Sequence, residues 1–177
     1  MKRVYLLPFA ALTLLAACTS DSPNPLVPAA RGPSFANTPP KPGAHFQSGA
    51  ATLSGSSLVV SFREVGLGEG NVTVTATANA TAEYACLNNG GEFPNDPRKQ
   101  SVSGPVSATG VFPVSKNGHI EGTLTVSAPA STLDCPNGQK VVMTSVSYTN
   151  VTLTDVTNGD TFAISGTFSA VFYENVP

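Results

Sequence analysis

The sequence predicts an all-β protein, an antiparallel β-sandwich of the immunoglobulin-like (Ig-like) kind with a small β-barrel as runner-up, and three observations lead there. First, strict alternation of apolar and polar side chains sets in at about residue 50 and recurs along the chain, as strands with one buried face require. Second, only 11% of the residues are charged, Trp is absent, and Thr, Ser, Val, Ala and Gly dominate while Glu, Lys and Gln are scarce. Third, Asn-Gly pairs punctuate the alternating runs, and no helical run lies between them to carry parallel strands.

The elements follow in order. Leu58, Val60 and Phe62 share one parity. In the next run Val72, Val74, Ala76, Ala78, Ala80, Ala82, Tyr84 and Cys86 alternate with Thr, Asn and Glu, which predicts one long strand or two joined by a bend. The same parity returns in Val102, Val106, Ala108 and Phe112, in Ile120, Leu124 and Val126, and in Phe162, Ile164, Phe168, Ala170 and Phe172. Between Lys140 and Val156 the phase slips, with Val142, Val146 and Tyr148 even but Val151 and Leu153 odd, so a bulge or short turn is expected near Asn150. Asn117-Gly118 and Asn158-Gly159 each predict a hairpin, because Asn-Gly suits positive φ. Pro136-Asn137-Gly138 and Asn88-Asn89-Gly90-Gly91 mark further turns, giving six to eight strands.

Ahead of this region Lys2 and Arg3 precede an apolar stretch, Val4 to Ala17, that is shorter than the roughly 20 residues a membrane-spanning helix needs. Residues 1–17 therefore read as an export signal. Leu15-Ala16-Ala17-Cys18 resembles the lipobox of bacterial lipoproteins, which implies cleavage before Cys18, a diacylglycerol on its thiol and the membrane as partner. Thr19 offers no Asp retention signal, so the same resemblance implies the outer membrane in a cell that has one. Residues 18–49 form the lipidated N-terminus and a tether, with seven Pro among residues 19–49 favouring extended chain. Phe46, at its end, is expected to dock on the folded domain, residues 50–177. That domain is also similar to exported bacterial β proteins, a resemblance that implies no catalytic residue.

Three cysteines are an awkward number in an oxidising compartment. A lipid on Cys18 leaves Cys86 and Cys135 to pair, closing a loop of about 50 residues. Neither belongs to a CxxC pair, and His45 and His119 are the only histidines, so no metal and no cofactor is expected.

Function is bounded mainly by exclusion. Nine Lys and Arg less Lys2 and Arg3 leave seven against eleven Asp and Glu, so the mature chain is acidic and nucleic acid is not an expected partner. No G-x-S-x-G elbow occurs, and His119 stands at a solvent-facing parity, so catalysis is not expected either. Asp155, Asn158 and Asp160 surround a turn and offer oxygens to Ca²⁺, yet any hairpin turn wants the same residues and the EF-hand spacing is missing. The Asn-x-Thr sequons at Asn71, Asn79 and Asn150 are what Thr-rich strands produce by chance. Leu87 to Gln100 is a long polar segment holding Glu92, Phe93, Asp96, Arg98 and Lys99, and a Cys86–Cys135 bond would pin it beside the 130–139 loop. These five residues form a candidate binding loop. The expectation is an extracytoplasmic lipoprotein of the cell envelope acting as a non-enzymatic binding, adhesion or structural module toward an envelope protein or polysaccharide. The alternative is a carbohydrate-binding or enzymatic domain, although the lack of Trp counts against a sugar-stacking platform.

Overall fold

The computed structural model describes residues 43–136 and 138–177. Residues 1–42, which hold Cys18 and most of the stretches read above as signal and tether, and Asn137 lie outside them. Eight strands and no helix make up the described residues: β1 (His45–Ser54), β2 (Ser57–Val65), β3 (Asn71–Asn88), β4 (Lys99–Pro113), β5 (His119–Val126), β6 (Gln139–Asp155), β7 (Thr161–Ile164) and β8 (Phe168–Val171). One sheet has the order β1-β2-β5 and the other β4-β3-β6-β7, with β8 also pairing β6, and every pairing is antiparallel. Lettered along the chain this is A-B-E against C′-C-F-G, an Ig-like sandwich whose fourth strand sits in the second sheet. The sheets do not close into a barrel. The Ig hallmarks of a buried Trp and a disulfide between the second and sixth strands are absent.

Alternation places the core. The even residues of β3 from Val72 to Cys86 are all buried, facing Leu58, Val60 and Phe62 of β2 and Ile120, Leu124 and Val126 of β5. Burying each Val or Leu contributes about 1.5–3 kcal/mol before the cost of ordering the chain. The run of Ala76, Ala78, Ala80 and Ala82 leaves room for the larger Tyr148 and Leu58, both fully buried. The Tyr148 hydroxyl donates to the Ser56 carbonyl at 2.7 Å, and burial pushes its phenol above the ordinary range, so it remains a donor.

Inward-facing glycines make space for aromatic rings. Phe62 meets Phe46 and Phe112 edge-on, with centroids 5.9 and 5.1 Å apart. A Cβ at Gly122 would stand 2.7 Å from Phe62 Cζ and overlap Phe112, and one at Gly49 would strike Phe162. Phe46 does dock, being 6% exposed. Its strand begins at His45, so the fold reaches five residues into the segment read as tether, because β1 pairs with β2 as far as His45↔Val65.

The phase slip falls where expected. Asn150 has φ +52°, and β6 carries an extra residue between its partners for Thr77 and Asn79. A second extra residue, Thr144, lies opposite the Glu83–Tyr84 step. Asn158-Gly159 does close a hairpin, β6–β7, with Gly159 at φ +83°. Two expectations need correction. Asn117-Gly118 forms a tight turn, Gly118 N–H donating to Ser115 at 2.9 Å, but its flanks belong to different sheets, because β5 finds eight partners along β2. The Phe162–Phe172 run is two short strands, since the bulge at Asn150 puts the edge of β6 out of step: Val151 pairs Ile164 whereas Tyr148 pairs Phe168. Phe172 has left the sheet and is 40% exposed.

Candidate functional site

The five-stranded sheet runs on past the three-stranded one, and connecting segments cover both faces of the overhang. Cys86, at the inward parity of β3, is bonded to Cys135 with Cα atoms 5.6 Å apart. This ties the β5–β6 connection beneath the overhang. Gln100, level with Tyr84, holds it there: its Oε1 accepts from Ser131 Oγ at 2.6 Å and Thr132 N at 3.0 Å, and its Nε2 donates to Thr132 Oγ1. The Tyr84 hydroxyl donates to the Pro129 carbonyl at 2.6 Å. On the outer face Lys99 Nζ donates to the Val176 carbonyl at 3.3 Å, and Phe93 meets Tyr173 edge-on at 5.4 Å. The chain after β8 thus crosses β6 and β3 to reach β4. Ala85 and Leu87, which alternate to this outer face, are buried there.

The five residues of the candidate binding loop are therefore brought to one end of the molecule in different roles. Arg98 Nη1 donates to the Asp134 carbonyl at 3.2 Å, Lys99 reaches the C-terminal segment, and Phe93 is half-buried against Tyr173. Glu92 and Asp96 are exposed. Beside them Phe172, Tyr173, Val142, Met143 and Ser56 line an apolar depression of about 360 Å³.

The opposite end carries the acidic turn. Asp155 Oδ1 accepts from Thr157 N at 2.7 Å and Asn158 N at 3.0 Å, and its Oδ2 accepts from Asn158 Nδ2 at 2.5 Å. Asp160 Oδ2 accepts from Phe46 N at 2.8 Å, fastening β1 to the β6–β7 turn. These oxygens serve the turn, and among the described residues no group of His, Cys, Asp or Glu is placed to hold a metal ion. Sequence reasoning missed the third carboxyl at this end, Glu64 of β2, which is wholly buried with no hydrogen-bond donor at either oxygen. Burial, then its contact with Asp155, then the charges of Asp155 and Asp160 push its carboxyl up to about 8. The signal was present: Glu64 shares the parity of Leu58, Val60 and Phe62.

Between the two ends, the outer face of the three-stranded sheet has a shallow depression of about 530 Å³. Arg63 Nη1 and Glu121 Oε1 pair across it at 2.6 Å, level with Ser48, while Ala50, Ser61 and Thr123 form the next outward row. No protein-family model, curated protein or solved structure matches the chain. The shelf at Arg63 offers fixed donors and acceptors on a small-residue floor. His119 is committed elsewhere, its Nδ1 2.9 Å from Ser115 Oγ, which also accepts the His119 N–H.

Proposed function

We propose that this chain is an extracytoplasmic lipoprotein whose β-sandwich acts as a non-catalytic binding module, tethered to a membrane through a lipid on Cys18. The observation that carries the reading is the Cys86–Cys135 bond. A bond of this kind persists outside the reducing cytoplasm, and it uses two of the three cysteines. Cys18 is the one left over, directly behind an apolar signal-like stretch. Binding rather than chemistry is supported by how the polar side chains are spent, since Asp155, Asp160, Gln100, Arg98 and Ser115 hold turns and connections in place. An envelope protein or polysaccharide is the partner class, met either at the shelf around Arg63 or at the disulfide-tied end.

The test is metabolic labelling with a tagged fatty acid in a bacterial host, followed by affinity capture of envelope components on the processed protein. The wild-type chain should take up label and lose its signal, whereas Cys18→Ser should stay unlabelled and unprocessed. A wild type that takes up no label, beside a variant that is still processed, overturns the lipoprotein reading. Turnover of an envelope substrate by the purified chain overturns the non-catalytic one.

A further inference from the structure

We propose that Glu64 and Asp155 form a proton-binding site between the two sheets, in which Glu64 is held as the neutral acid and donates its hydrogen to the Asp155 carboxylate. The geometry starts from register: Phe46 of β1, Glu64 of β2 and Ile120 of β5 lie in one row, pointing into the sandwich. Glu64 is thus flanked by apolar side chains in its own sheet and faces the β6–β7 turn of the other. No N–H or O–H of the described residues reaches either Glu64 oxygen, and its acidic neighbour across the sandwich is the Asp155 carboxyl, itself wholly buried. Two neighbouring buried carboxylates repel, and a proton on one of them both removes that repulsion and supplies the missing hydrogen-bond donor. Asp155 already takes three N–H donors on its two oxygens while Glu64 takes none, so the hydrogen belongs on Glu64.

The other charged groups nearby do not relieve Glu64. Asp160, from the same turn, adds negative charge, and its Oδ2 is held by Phe46 N. Arg63 is on the opposite face of β2 and paired with Glu121. His45 is exposed, its Nδ1 donating to the Gly43 carbonyl, and His119 is turned toward Ser115. Glu69 and Lys116, on the adjoining turns, are at the surface. Loss of the proton would leave two apposed buried anions, with Asp160 as a third nearby, where the strands β1 and β2 meet the β6–β7 turn. Proton loss therefore destabilises this end of the sandwich.

The sign of the pH dependence follows. Glu64 ionises near 8 in the folded chain against an ordinary value of 4.5, so between those values the folded chain holds a proton that the unfolded chain has lost. The stabilisation is complete below the lower value and is lost as pH rises through the upper one. Melting of the full chain in detergent, followed by circular dichroism from acid to alkaline pH, tests this with wild type and Glu64→Gln. Gln keeps the size and an N–H donor but cannot ionise. The wild type should lose roughly 5–10 °C relative to the variant between neutral and alkaline pH, and the variant should melt higher in alkali. Parallel curves overturn the proposal. Should the variant fail to fold, carbon-13 carboxyl NMR of the wild type decides: Glu64 should titrate well above the other carboxyls, and titration alongside them overturns the site. Calcium chloride is the control, because stabilisation of the wild type but not of Glu64→Gln by the metal alone would assign a cation in place of the proton.

Discussion

At the scale of single residues, the sandwich depends on side chains that are missing as much as on those present. Gly122 sits at an inward parity between Ile120 and Leu124, where alternation calls for an apolar side chain, and the rings of Phe62 and Phe112 fill that space instead. Gly122→Ala should therefore cost about 1–3 kcal/mol, as overpacking of a filled core does, read as a lower urea midpoint with an unchanged slope. A variant as stable as wild type would show that the rings shift freely. Glu64 makes the complementary point about legibility. Its parity was readable from the sequence, but its partner was not, since Asp155 comes from a distant strand and reaches the inward parity only because of the bulge at Asn150. Strand parity is local information. Which strands face one another is not.

At the scale of elements, patterns within strands were legible and connections between them less so. The eighteen-residue β3 could be read from alternation, and the bulge in β6 from a change of phase. The Asn117-Gly118 turn misled because a two-residue signal reports backbone shape, whereas the choice of sheet is made by eight downstream pairings with β2. The candidate binding loop was legible as a polar segment, but its contact with the C-terminal segment was not, since Phe93 and Tyr173 lie on well-separated stretches. Replacing Phe93, Arg98 and Lys99 together by Ala should leave the sandwich folded, as Arg98 and Lys99 are exposed, where changes are each worth about 0.5 kcal/mol, and Phe93 is half-buried outside the core cluster. It should also speed hydrogen exchange at Phe172 and Tyr173, whose N–H groups donate to the Thr144 carbonyl. Unchanged exchange there would mean that β8 alone fixes the segment.

At the scale of the whole molecule, the disulfide joins residues 49 apart and closes the end that the smaller sheet leaves uncovered. On the chain-entropy model a loop of this length is worth about 4 kcal/mol. Reduction should lower the melting temperature while circular dichroism still reports β structure, because the paired strands and their alternating core do not pass through the bond. A reduced chain that melts with the oxidised one would mean that the Gln100 contacts suffice. The two ends of the sandwich are thus fastened by different chemistry, a covalent bond at one and a shared proton at the other, and reductant and alkali should act on them separately.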